Sequence, residues 1–520
     1  MMLRRHPRPG SSVTRSLALL MAASLMVAPM SAAMAQSSSL PSLGDGAGMS
    51  ISAERRLGDG IARDIFRDPD YMDDPVLMDY LNGIWQPLLG TARARGDIPS
   101  ELSDRLAWQV LISRDKRVNA FALPGGYLGV QLGLIAATDT APELASVMAH
   151  ELSHVSQRHI ARMLTKQEQQ APWILGAMIL GVLAARSNVE MANAAIASGQ
   201  AVAMQNQLNF SRDMEREADR VGFGVLTGAG FDGTGFVTMF DKLQQAARLN
   251  DDGSFPYLRS HPLTSERIAD MRSRLPLAGA APSGPRIGAP LTVMAAPPKE
   301  LHQLMAARAR VLAENGPDRQ RAWTQAAQSP KATLPELYAA ALSAHRLGQS
   351  AQALALARRG RAGAPASTHT AWDQLQLEIL SGPNAKGLGD GALVSLRDQA
   401  LAGGSRADLL LGAQAALAMQ AALPAAAARL QPWVVSHPKD ALAWQTLSRV
   451  QAALGQRLRS LRSEAESRAA QLDYAGAADR LRAAQALPPA ERNADPMELA
   501  IIDVRRREVE DLQRESVRQD

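Results

Sequence analysis

The 520-residue chain contains no cysteine. That absence removes disulfide scaffolds, thiolate zinc sites, iron–sulfur clusters and thiol nucleophiles, and it leaves the redox state of the compartment unreadable. Aromatic residues are scarce, at 4%. An alanine-rich chain short of aromatics favours helices over sandwiches of strands. A net charge of one sign is also missing from the body of the chain. The formal charge is +5, but Arg4, Arg5, Arg8 and Arg15 stand in the first 35 residues without one acid, which leaves +1 for the rest. So balanced a body implies no nucleic-acid partner. A series of apolar runs near the roughly 20 residues that a membrane-spanning helix needs is absent as well. With 46% hydrophobic and 21% charged residues the chain is nonetheless built to fold, and its length allows about three domains.

What is present starts with a leader. The basic start precedes an apolar run over 17–27, and Ala33-Met34-Ala35 offers a small-x-small site before Gln36. This predicts a secretory signal over 1–35, cleaved near Ala35-Gln36, and hence a periplasmic protein. Arg4-Arg5 lacks the rest of a twin-arginine pattern, and without a lipobox cysteine no lipid anchor follows. Beyond it, 36–49 reads as a linker, 50–275 as one mixed domain, 276–299 as a Pro/Gly/Ala-rich second linker, and 300–515 as an all-helical tail. The expected fold class is α+β, mainly helical.

Within the mixed domain, 53–66 and 73–94 read as helices, the second opened by Asp73-Asp74-Pro75. Short apolar runs at 108–112, 120–123 and 127–130, the last two parted by Gly125-Gly126, predict a small β-meander or hairpin. Thr140-Ala-Pro-Glu143 is a capping box, predicted to open a helix that continues to about Met163. In the tail, Gly348, Ala353 and Pro365, then Leu447 and Gly455 after Trp444, sit in the frame of a 34-residue helix–turn–helix repeat, as does Pro438. A tail of degenerate tetratricopeptide-like repeats is expected, with an unrelated helical bundle as the alternative.

The sharpest pattern is His150-Glu151-Leu152-Ser153-His154. Spacing i, i+4 puts both imidazoles on one helical face, where each can offer a nitrogen to one zinc ion, with Glu151 beside them as general base. Zinc of this kind needs a third protein ligand. His159 falls nine residues after His150 without an intervening glycine, so it is expected beside the site or on the surface. Glu215 and Asp219 share a helical face; Glu215 can ligate while Asp219 accepts a hydrogen bond from a ligand imidazole. Glu217, on the opposite face, reads as a solvated charge.

His150–His154 with Glu215-x-x-x-Asp219, preceded by Asn119-Ala-Phe-Ala-Leu-Pro-Gly-Gly126 and followed by Ser260-His261-Pro262, resembles the M48 family of zinc metallopeptidases over 50–275. Leader, catalytic domain and repeat tail together are similar to the exported, barrel-assembly-enhancing group within it. The resemblance implies a gluzincin-type domain holding one Zn²⁺ on His150, His154 and Glu215, with Glu151 as base. It also implies an edge strand (Asn119, Ala120, Phe121, Ala122) that takes an extended substrate by β-augmentation, and a catalytic or zinc-blocking role for His261. Misfolded or stalled outer-membrane proteins are its implied substrates and the barrel-assembly machinery its implied partner, met by the repeat tail. Relatives in this group can pin the tail with cysteines; none exists here, so any docking is non-covalent.

The stretch between His154 and Glu215 holds an apolar run over 173–185, too short for a span. Residues 171–205 are expected to form a buried helix, an active-site lid or a peripheral membrane contact. Besides the protease, a helical-repeat adaptor or holdase with a self-inhibited site is open, as is a purely structural metal domain if His261 is a permanent fourth ligand.

Overall fold

The computed structural model describes residues 48–166, 212–249, 255–275 and 296–518. The expected leader, residues 171–205 and most of both linkers lie outside them. The Ser50 hydroxyl accepts a hydrogen bond from Ala53 N and starts helix α1 (Ile51–Arg67). A two-residue strand β1 (Tyr71–Met72) follows. Asp74 then caps α2 (Pro75–Ala94), accepting from Leu77 N at 2.9 Å, while Pro75 fills the first turn, where no amide partner is needed. Leu77, Leu81, Ile84, Trp85 and Leu88 of α2 are buried and form the axis of the core.

A short α3 (Ser100–Arg105) leads into strands β2 (Gln109–Ser113), β3 (Ala120–Leu123) and β4 (Tyr127–Gln131). The sheet order is β1-β2-β4-β3. β3 and β4 form the expected hairpin, whose turn uses Gly125 and Gly126 at φ 77° and 88°, a region other residues enter only with strain. The expected meander does not form, because β2 pairs with β4 in parallel rather than with β3. The run of β4 supplies two ladders at once, and β3 is left on the edge. β1, which pairs antiparallel with β2, is two residues long and carries no alternation to read.

After α4 (Leu132–Ala137), Thr140 opens α5 (Ala141–Ser156). Thr140 Oγ1 accepts from Glu143 N at 3.4 Å, but the Glu143 carboxylate turns to Asp139 N at 2.8 Å, one residue earlier than a capping box places it. Every residue of α5 except Pro142 is buried, the signature of a helix enclosed on all sides. The helix does not run on to Met163. It breaks at Gln157–Arg158, where Arg158 takes φ 51° and its guanidinium donates to Glu54 at 2.9 Å and to the Met49 carbonyl. A separate helix α6 (His159–Lys166) starts there, and α7 (Arg212–Gly228), α8 (Thr234–Leu249), α9 (Tyr257–Ser260) and α10 (Ser265–Ser273) complete this part.

Beyond Lys299 the described residues form helices only, with no strand among them. Leu334–Arg346 pairs with Ser350–Gly363, and Ala441–Ala453 with Arg457–Ala470, across turns in which Gly348 and Gly455 take φ 77° and 74°. Such hairpins fit a helix–turn–helix repeat array. Buried polar contacts join them to the earlier part. Arg308 donates to Asp74 at 2.8 and 2.6 Å and pairs with Glu378 at 2.9 Å. Arg406 binds Asp73 and Asp440, and His302 lies between Tyr80 (2.5 Å) and the Thr138 carbonyl (2.9 Å). One apolar cluster runs from Ile51 to Ala415 across both parts. No helix among the described residues is long and apolar enough to cross a membrane.

Candidate metal centre

The two histidines of α5 turn their Nε2 atoms toward each other at 3.0 Å. Two ring nitrogens that close repel as lone pairs unless a proton or a cation lies between them. Glu215 of α7 reaches the same point, its carboxylate 3.5 Å from each Nε2. His261, which ends α9, completes the group with Nδ1 2.9 Å from Glu215 Oε1 and 3.4 Å from His150 Nε2. One ligating atom from each of the four lies within 4.8 Å of all the others, and all four residues are buried. Two imidazoles and a carboxylate, with a fourth donor at hand, are a donor set that suits zinc.

The electrostatics agree with a cation at the centre. Burial works against charge on His150, but its contacts with Asp219 and Glu215 outweigh it and lift the imidazole to about 9. Burial dominates at His154, which falls well below the usual range and is further lowered by the neighbouring imidazoles. Burial would raise Glu215, yet His261 and His150 hold it well below the ordinary carboxylate range. Asp219 Oδ1 stands 3.0 Å from His150 Nδ1, at ion-pair distance. Arg267 of α10 grips Asp219 with two hydrogen bonds, of 2.6 and 2.8 Å, and touches Glu215 at 2.7 Å. Tyr257 stacks on the His261 ring at 4.6 Å.

Residues 92–275 match the family described as Peptidase family M48. This part of the chain is an M48 peptidase domain. The chain is 32% identical over 263 residues to the beta-barrel assembly-enhancing protease of Escherichia coli (strain K12), covering 50% of this chain and 52% of that protein. It is 32% identical over 237 residues to the protein of the same name from Yersinia pestis, covering 45% and 47%. To the mitochondrial metalloendopeptidase OMA1 of Arabidopsis thaliana it is 33% identical over 162 residues, 31% and 30% of the two chains. The chain thus spans about half the length of the bacterial relatives it matches.

In the M48 domain, α5 and α7 can press together because Gly222 faces α5. A Cβ there would sit 3.1 Å from the Ala149 carbonyl and 3.2 Å from His150 Cα. Glu151 bridges the histidine group and the sheet edge. Its Oε2 accepts from Ala122 N of β3 at 2.8 Å, and its Oε1 accepts no hydrogen bond among the described residues and lies 3.4 Å from His261 Nε2. Ala120 and Ala122 are buried, Phe121 is half-buried, and Asn119 is buried at the head of the strand with its side-chain oxygen unpartnered.

One expectation needs correction. Glu217 is not a solvated charge; it meets His159 Nε2 at 3.1 Å and Arg162 at 2.9 Å. Of the two places expected for His159, the structure shows the one beside the site: it is 0% exposed, its Nδ1 2.9 Å from His154 Nδ1. The error follows from carrying α5 through residue 158 as one helix, which turns His159 away from Glu217. Two residues were missed outright. Arg267 follows His261 by six positions, and a buried acidic pair needs a cation, but nothing local says which arginine supplies it. Tyr257 precedes His261 by four, a helical spacing that was legible as stacking distance.

Proposed function

We propose that the chain is a periplasmic zinc endopeptidase that acts in quality control and assembly of outer-membrane proteins, with 50–275 as its catalytic domain and 300–515 as tetratricopeptide-like repeats that meet substrates and the assembly machinery. The observation that carries this reading is the buried His150–His154–Glu215–His261 group set against an edge strand held by Glu151. The names of the bacterial relatives support the substrate class, and the leader supports the compartment.

His150, His154 and Glu215 would hold the ion. When bound, it supplies a Lewis acid for the scissile carbonyl and makes an attacking water more acidic. The extended substrate pairs with the free edge of β3, which aligns its backbone across the mouth of the site. Glu151 Oε1, the oxygen left without a hydrogen bond, takes a proton from the water and returns it to the leaving amine nitrogen as the peptide bond breaks. Ala122 N–H holds the opposite oxygen and fixes the plane of that carboxylate. His261 would steady the developing charge, or occupy the fourth position at rest.

That second option favours one other reading, a repeat adaptor or holdase whose protease is largely shut, because His261 Nδ1 already sits 2.9 Å from the ligand Glu215. Metal content and casein cleavage of wild type, Glu151→Gln and His261→Ala separate the two. A protease shows stoichiometric zinc and no cleavage with Glu151→Gln; cleavage raised by His261→Ala marks a resting block, and cleavage lost with it marks a part in the reaction. Stoichiometric zinc without cleavage in any variant supports the adaptor, and no bound metal removes the site assignment.

A further inference from the structure

The two ligand histidines are oriented by different means, and the second one is built from residues given no part in the reaction so far. His150 turns Nδ1 to Asp219, whose charge is balanced by Arg267. At His154 another imidazole stands on that side. His154 Nδ1 faces Nδ1 of His159 at 2.9 Å, His159 Nε2 faces Glu217 Oε2 at 3.1 Å, and Arg162 Nη1 donates to the same Glu217 oxygen at 2.9 Å.

The proton positions in this chain are forced. For His154 to offer the Nε2 lone pair, its Nδ1 must carry the hydrogen, which it then donates to His159 Nδ1. His159 must therefore carry its own hydrogen on Nε2, where Glu217 accepts it. Arg162 keeps Glu217 ionised as that acceptor. Each link admits one direction only.

The backbone break at Gln157–Arg158 is what makes the contact. Five residues along an unbroken helix is a turn of about 500°, which would leave His159 about 140° away from His154. With Arg158 at φ 51°, tied by Glu54 and the Met49 carbonyl, the chain restarts as α6 and the His159 ring comes back over His154. The residue is 0% exposed, in a place where an imidazole without partners would be costly.

We infer that His159 and Glu217 are positioning residues for the metal: an imidazole–carboxylate relay that fixes the tautomer and ring plane of His154, as Asp219 and Arg267 do for His150. The inference rests on zinc at His150, His154 and Glu215. The test uses the full chain as wild type, His159→Leu, His159→Asn and Glu217→Gln. Its readouts are the zinc dissociation constant by chelator competition, the visible spectrum of the cobalt(II)-substituted protein, and thermal unfolding of the metal-free form.

His159→Leu is expected to weaken zinc binding on the order of 10–100-fold and to shift the cobalt bands, as loss of an outer partner of a ligand does. His159→Asn, which keeps an acceptor near the Nδ1 position, recovers most of the affinity, and Glu217→Gln falls between the two. Should His159→Leu fail to fold, the other two variants decide: zinc affinity unchanged in both overturns the relay. Unaltered affinity and cobalt bands in a folded His159→Leu overturn it as well, as do losses of affinity that only track a lower melting temperature of the metal-free form. A wild type that binds no zinc overturns the metal site and the relay with it, whereas a zinc-binding wild type with unaffected variants overturns the relay alone.

Discussion

Arg267 is the residue on which the acidic half of the centre depends. It is 4% exposed and neutralises Asp219 and Glu215 together, so removing it leaves two carboxylates buried without their cation. Arg267→Met is expected to cost about 3–5 kcal/mol, and Arg267→Lys to restore little of it, since an ammonium cannot match the two-pronged grip on Asp219. Urea unfolding of the metal-free protein measures both. Gly222→Ala makes a different demand. The added methyl meets α5 backbone, which cannot give way as a side chain can, and overpacking of about 1–3 kcal/mol is expected together with weaker zinc binding. A variant as stable and as tight as wild type would show that α7 has slack. At this scale the residues that meet at the centre were legible, because His-x-x-x-His and Glu-x-x-x-Asp are spacings within single helices. Arg267 was not, because its partnership spans 48 residues between two helices and leaves no periodic trace.

Elements are where sequence reading went astray, for two physical reasons. Arg158 enters a left-handed conformation held by long-range bonds from Glu54 and Met49, and no glycine marks the spot. The four-residue run of β3 and the five-residue run of β4 announce a hairpin, but the parallel pairing of β2 with β4 is decided by packing on α2 and α5, not by local pattern. The helix that begins at Lys299 offers a pH test. Burial holds His302 below the ordinary 6.5, and its Nε2–H donates to Thr138 while Tyr80 O–H donates to Nδ1. The unfolded chain therefore takes up the proton first as pH falls. The stabilisation is complete above about 6.5 and is lost as the pH drops through that value toward the lower folded one. Between about pH 8 and pH 5, wild type should lose more stability than His302→Gln, measured by urea midpoints; equal losses would remove His302 as the cause.

At the scale of the whole molecule, described residues on both sides of 276–299 share one core. Pro/Gly/Ala-rich 276–299 reads as a linker, yet the apolar cluster continues across it from Ile51 to Ala415, and Asp73 and Asp74 at the head of α2 find their cations on Arg406 and Arg308. The lack of cysteine is answered by buried ion pairs and shared core. A fragment ending at residue 275 exposes the α4 surface and leaves both aspartates unpaired, so it is expected to aggregate or to unfold without a cooperative transition, and to bind no zinc. A soluble, cooperatively melting fragment that binds one zinc would show instead that the domain stands alone.

The edge strand has a consequence for what such an enzyme would notice. β3 is four residues long, and what it offers a visitor is amide and carbonyl groups, which every protein shares. A neighbour that has already found its fold has committed those groups elsewhere and has nothing to lay down. A chain still waiting for its partners has them to spare. On the proposed reading the strand would ask about history rather than spelling, and would distinguish polypeptides by how long they have gone without completing themselves.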